Sequence, residues 1–134
     1  MEPKDLAWCA GLFEGEGNLH LSTQYDLQIT VVNTNRELLE PFTIFGGSLT
    51  IRSKAKDNWK QVYQWRIGGN DIGKEFINSI LPYITSSGYK LRFSWALQFI
   101  DFDKAQPRYM SDRDISKYEL FRTKINANTQ DGGK

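Results

Sequence analysis

The stretch Cys9-Ala10-Gly11-Leu12-Phe13-Glu14-Gly15-Glu16-Gly17 decides how the rest of the chain is read. Placed on a helix of about 3.6 residues per turn, Leu6, Cys9, Ala10 and Phe13 form one apolar face. Ala7, Gly11 and Gly15 form a second stripe, roughly a third of a turn away and made of the smallest side chains. Each glycine inside a helix costs about 1 kcal/mol relative to alanine, so two on one stripe require a compensating contact. Close backbone approach by another helix is the simplest one. The segment therefore reads as a helix held between two bodies, with Glu14 and Glu16 delivered at its C-terminal end. Two residues along a helix is a rotation of about 200°, so the two acids cannot share one ion while the helix stays regular. Glu14 reads as structural. Glu16 is either a solvated acid or one whose position beside the negative end of the helix is offset by a bound cation.

Bulk properties bound the class. A chain of 134 residues, 40% hydrophobic and 13% aromatic, suits one folded domain, taken as residues 1–126. Residues 127–134 are polar and expected to fray. The single cysteine excludes an internal disulfide, no apolar run reaches the ~18 residues of a membrane span, and no signal-peptide layout is present. An intracellular domain is expected. The net charge of +1 does not advertise a polyanionic partner, so a nucleic acid would require basic residues gathered on one surface.

Beyond Gly17 the pattern alternates. Asn18 to Gln24 sends Leu19 and Leu21 one way, and His20, Ser22 and Gln24 the other. Tyr25-Asp26 predicts a turn, and a second strand follows with Leu27, Ile29 and Val31 inward and Gln28, Thr30 and Val32 outward. Thr34 and Glu37 have capping-box spacing for a helix towards Phe45, which Pro41 should kink or divide. Gly46-Gly47 ends it. In the next hairpin Leu49 and Ile51 alternate with Ser48, Thr50, Arg52 and Lys54, and the turn contains Asp57-Asn58. The return strand sets Tyr63, Trp65 and Ile67 against Lys60, Val62, Gln64 and Arg66. Asn70 or Asp71 should cap a helix bearing Ile72, Phe76, Ile77, Ile80 and Leu81, which Pro82 closes. Thr85 to Gly88 reads as a loop and Leu91 to Phe102 as a strongly apolar helix. A last helix starts near Ser111, Asp112 and Asp114, with Ile115, Tyr118, Arg122 and Ile125 on one side. The class is α+β: an open antiparallel sheet backed by helices.

The nine residues Cys9 to Gly17 resemble the LAGLIDADG motif of homing endonucleases and their maturase relatives. Ala10 and Gly11 match it, Leu12 and Phe13 fill its apolar places, and Glu14 and Glu16 stand at its acidic positions. Cys9 replaces the leading Leu, and Glu replaces Asp. The order αββαββα is that of a LAGLIDADG half, and Phe45-Gly46-Gly47, Tyr63-x-Trp65-x-Ile67 and Leu81-Pro82-Tyr83 are similar to family landmarks.

The resemblance implies a sheet forming a DNA-binding saddle, with Glu16 ligating catalytic Mg²⁺ (or another divalent cation such as Mn²⁺) and the Gly15 carbonyl as an auxiliary ligand. It also implies an auxiliary polar residue at the end of the second strand, matched by Asn33, and a basic residue before the long apolar helix. Asn33 could equally be a turn or cap residue. Lys90 is the nearest match to the basic residue, with Arg92 an alternative. On the polar sheet face, His20, Ser22, Gln24, Gln28, Thr30, Arg52, Lys54, Lys60, Gln64 and Arg66 are candidate DNA contacts, since Arg and Gln read base edges in the major groove. The competing reading of that face is an ordinary solvated surface.

With one motif in the chain, the small stripe is satisfied by self-pairing. Ala7, Trp8, Gly11, Leu12 and Gly15 are thus expected at a homodimer interface. The expected function is site-specific, metal-dependent cleavage of a long pseudo-palindromic DNA site, leaving 3′ overhangs. The alternatives are an RNA maturase acting on intron RNA, a non-cleaving DNA-binding relative, and a structural dimerisation module.

Overall fold

The computed structural model describes residues 2–53 and 60–127. Helix α1 spans Pro3–Glu16, with proline in its first turn, where a missing N–H costs nothing. It passes without a loop into strand β1, Gly17–Leu21. The corner is tight because the Gly17 N–H donates to the Phe13 carbonyl, and a Cβ at Gly17 would run into the Phe13 ring and carbonyl. Strand β1 is shorter than the alternation predicts. Ser22 leaves the ladder because its hydroxyl accepts the N–H groups of Gln24 and Asp26, at 3.2 and 3.0 Å, and closes the turn itself.

Strand β2, Leu27–Asn33, shows the expected alternation, with Leu27, Ile29 and Val31 buried. The expected helix after it is instead two 3-10 segments, Arg36–Leu38 and Glu40–Phe45. The cap is Asn35 rather than Thr34: its side chain accepts the Glu37 N–H at 3.0 Å. Pro41 lies in the first turn of the second segment, so the division falls where its ring forbids a continuous helix. Gly46 and Gly47 follow with φ of 94° and 82°. At Gly47 any Cβ would also collide with the Arg66 carbonyl of the neighbouring strand.

Strands β3, Ser48–Ser53, and β4, Val62–Gly68, complete an antiparallel sheet of order β1-β2-β4-β3. The expected Asp57-Asn58 turn lies outside the described residues, as does most of the C-terminal tail. Helix α2, Asn70–Ile80, starts after Gly69 with no side-chain cap. The expected cap Asn70 instead donates its amide to Asp103, at 2.7 Å. Leu81–Tyr83 is a 3-10 turn around Pro82. Helix α3, Ser87–Lys104, begins earlier than its apolar run because Ser86 caps it, its hydroxyl accepting the Tyr89 N–H at 3.2 Å. Helix α4, Ile115–Ile125, is capped by Asp114.

The core lies between the sheet's apolar face and the helices. Phe13 sits 5.5–5.6 Å, ring to ring, from Phe76, Tyr89 and Phe93, so α1 is packed against both α2 and α3. Trp65 of β4 stacks near Phe42 at 5.0 Å and Phe76 at 5.4 Å, and its indole N–H donates to the Gly46 carbonyl at 3.0 Å. Each such side chain contributes about 1.5–3 kcal/mol on burial. A second aromatic group, Phe99, Phe102, Tyr118 and Phe121, joins α3 to α4. Asn126 then grips the sheet edge, accepting the Leu21 N–H at 2.7 Å and donating to the Leu21 carbonyl at 2.9 Å. Among the described residues no helix is long and apolar enough to cross a membrane.

Candidate functional site

Strand register places the outward side chains in rows across the sheet. Asn18, Thr30, Arg66 and Ser48 form one row, and Val32, Gln64 and Thr50 another. His20 lies opposite Gln28, which pairs with Gly68. None of these side chains belongs to the core, and Asn18, Ser48, Thr50 and Arg66 are exposed. Among the described residues no strand contains an Asp or a Glu. A face with Arg66 and no acid on its described strands, with Arg52 exposed on the outer strand, is electrostatically suited to a polyanion, although the whole chain is close to neutral.

The register brings together five of the expected contacts: His20, Gln28, Thr30, Gln64 and Arg66. Arg52 is exposed on the outer strand, where the register shifts between Ile51 and Ser53, and Lys60 is exposed just before β4. Ser22 and Gln24 fall outside β1, at the turn, and the Ser22 hydroxyl is occupied there. Lys54 lies outside the described residues. Asn18, Ser48 and Thr50 share the face; the alternation sets Ser48 and Thr50 opposite Leu49 and Ile51, but none of the three is among the candidate DNA contacts read from sequence.

His20 is half-buried, and its pKa is lowered, first by burial and then by the charges of Arg122 and Arg92. The imidazole is therefore held towards its neutral form on the sheet face. Arg122 belongs to α4, so that helix adds charge beside β1.

Glu16 occupies the corner where α1 meets the sheet. It is exposed, and its carboxylate has no hydrogen bond or ion pair among the described residues. The Gly15 carbonyl belongs to the last turn of α1, whose carbonyls lack intrahelical partners. Hard divalent cations take oxygen donors of this kind, so the pair fits such an ion. One chain supplies too few ligands to enclose it: among the described residues no three His, Cys, Asp or Glu side chains cluster.

Glu14 faces elsewhere and is engaged. It accepts the N–H groups of Thr85 and Ser86 at 2.6 and 2.7 Å and the Thr85 hydroxyl at 2.9 Å. Burial pushes its pKa up, but these bonds from Ser86 and Thr85, with the charge of Lys90, leave it below the usual carboxylate value. Lys90 is exposed in the first turns of α3. Arg92, the alternative basic residue, is buried. It donates to the carbonyls of Ile125 at 2.6 Å and Leu19 at 2.5 Å, so it holds α4 and β1 together. Asn33 ends β2, beyond the Gly17–Val31 pair and hence at the Glu16 end of the sheet. Its side-chain oxygen accepts the Asn35 N–H at 2.8 Å, which is the turn role.

The second stripe of α1 is open. Ala7, Gly11 and Gly15 are exposed, and a Cβ at Gly11 or Gly15 would touch nothing. Leu12 is half-buried. Trp8 is 42% exposed and borders a cleft of about 650 Å³ with Asp5, Glu37, Glu40, Pro41, Thr43 and Ile44.

The architecture is the LAGLIDADG homing-endonuclease fold, with its motif helix, saddle sheet and backing helices. Among solved structures, the homing endonuclease I-TnaI is 15% identical with a TM-score of 0.67, over 98% of this chain and 92% of that one. I-CvuI, determined with its target in the presence of Ca, is 18% identical with a TM-score of 0.67, over 91% and 80%. The LAGLIDADG meganuclease I-AabMI, bound to uncleaved DNA, is 20% identical with a TM-score of 0.71, over 92% of this chain but 45% of that one. No protein-family description and no curated protein matches the sequence.

Proposed function

We propose that the chain is a homodimeric, Mg²⁺-dependent homing endonuclease that makes a double-strand break in a long, pseudo-palindromic DNA site. The observation that carries this reading is the acid-free polar sheet joined without a loop to the free carboxylate of Glu16. An antiparallel sheet face can lie in the major groove, with Gln28, Gln64 and Arg66 addressing base edges. Arg52 and Lys60, towards the sheet periphery, would meet phosphates.

Glu16 and the Gly15 carbonyl would hold the metal, and a second copy would supply the matching pair, because a two-fold axis along the small stripe sets two α1 helices side by side. When bound, the ion supplies charge stabilisation at the phosphodiester and lowers the pKa of the attacking water. Lys90 would stabilise the same charge from the protein side. Asn33 would orient a water through the part of its amide that the turn leaves free. The likeness to half of I-AabMI and to most of I-TnaI supports one chain acting as half of the working unit.

The experiment is a selection. Purified protein is incubated with a randomised near-palindromic duplex library in Mg²⁺ or Ca²⁺, and both cut ends and retained duplexes are sequenced. Discrete Mg²⁺-dependent cuts with two-fold symmetric context support the reading. Retained duplexes without cuts would assign a DNA-binding role. Tighter binding to structured intron RNA than to any duplex would assign a maturase role.

A further inference from the structure

We propose that Glu14 is a positioning residue that holds Lys90 and Glu16 in one rigid unit, a claim that rests on the endonuclease reading above. Glu14 and Gly17 flank Glu16 in the chain, and each is tied to the start of α3. On one side, Glu14 accepts the Thr85 and Ser86 N–H groups at 2.6 and 2.7 Å, and the Ser86 carbonyl in turn accepts the Lys90 N–H at 3.0 Å. On the other side, the Tyr89 hydroxyl donates to the Gly17 carbonyl at 3.0 Å. Tyr89 is buried and packs on Phe13 at 5.5 Å, so the second link is fixed by the core.

A run of hydrogen bonds thus connects the acidic end of α1 to the backbone of Lys90, and a second run closes the loop around Glu16. Bonds to an ionised carboxylate are roughly twice as strong as neutral ones, which suits Glu14 to this task. A cap for α3 was already present in the Ser86 hydroxyl. Glu14 therefore does more than start a helix: it fixes where that helix stands relative to Glu16. Displacement of a reacting group by about 1 Å can cost on the order of 100-fold in rate, so this spacing matters for the reaction and little for DNA affinity.

The test combines single-turnover cleavage, duplex affinity in Ca²⁺ and amide hydrogen exchange on the 134-residue chain. Glu14→Ala is expected to speed exchange at Thr85 and Ser86 and slow cleavage about tenfold or more, with affinity kept within about threefold. Glu14→Gln retains an acceptor oxygen for both amides and is expected to restore most of the rate. Tyr89→Phe removes the second link without emptying the core. It should slow cleavage in the same way, and it decides the matter if Glu14→Ala does not fold. Faster exchange with unchanged cleavage overturns the proposal, as does a rate loss that follows lost affinity. A wild-type chain that binds but cuts no duplex overturns the endonuclease reading and the positioning role with it, and this control separates the two failures.

Discussion

At Gly17 a single added methyl group would meet the Phe13 ring and carbonyl, whereas at Gly11 it would meet nothing. The two glycines therefore have opposite expected responses to alanine. Gly17→Ala should destabilise the fold by about 1–3 kcal/mol through overpacking. Gly11→Ala should stabilise the isolated chain by about 1 kcal/mol through helix propensity, yet weaken self-association of the proposed homodimer, because the stripe would lose its close approach. Chemical denaturation and sedimentation, run on both variants, read the two effects separately. Tyr118 offers a pH test at the same scale. Burial, then its hydrogen bond to Asp103 and that carboxylate's charge, push its pKa from 10.0 to about 12, against the opposing charge of Arg113. A raised pKa gives stability that is fully present below the unfolded value and lost as pH rises through the folded one. An alkaline spectrophotometric titration should show tyrosine ionisation extending to about pH 12 in the wild type, and the latest step should be missing in Tyr118→Phe.

Among the elements, legibility followed periodicity. The inward residues of β2 and the Trp65 and Ile67 positions of β4 could be read because a period of two has one buried parity. The end of β1 could not, since the serine at position 22 fits the alternation while its hydroxyl closes the turn. The capping-box spacing of Thr34 and Glu37 pointed to a helix, but Asn35 took the cap; the division expected at Pro41 is present, between two 3-10 segments. Arg92 was the least legible residue. An arginine two residues after a lysine near the start of an apolar helix looks like surface, and its burial depends on carbonyls from β1 and α4, far off in sequence. Removing it leaves two carbonyls without their donor. Arg92→Ala is therefore expected to cost about 2–4 kcal/mol in chemical denaturation, while Lys90→Ala should leave stability nearly unchanged.

At the scale of the molecule, segregation reconciles a net charge of +1 with the proposed DNA partner: among the described residues the four strands hold no acid, although the chain has 16 Asp and Glu. The motif and alternation carried the fold and placed Glu16 at the helix end. They could not show that Glu14 is engaged by α3 while Glu16 is left free, because that difference depends on contacts with Thr85 and Ser86. In the proposed function Glu16 performs cleavage and the sheet performs recognition. Comparing wild type with Glu16→Gln on one selected duplex, by single-turnover cleavage in Mg²⁺ and affinity in Ca²⁺, tests it most directly. The variant is expected to bind within about threefold of wild type and to cut neither strand. A variant that still cuts, or one that loses binding along with cutting, would contradict it.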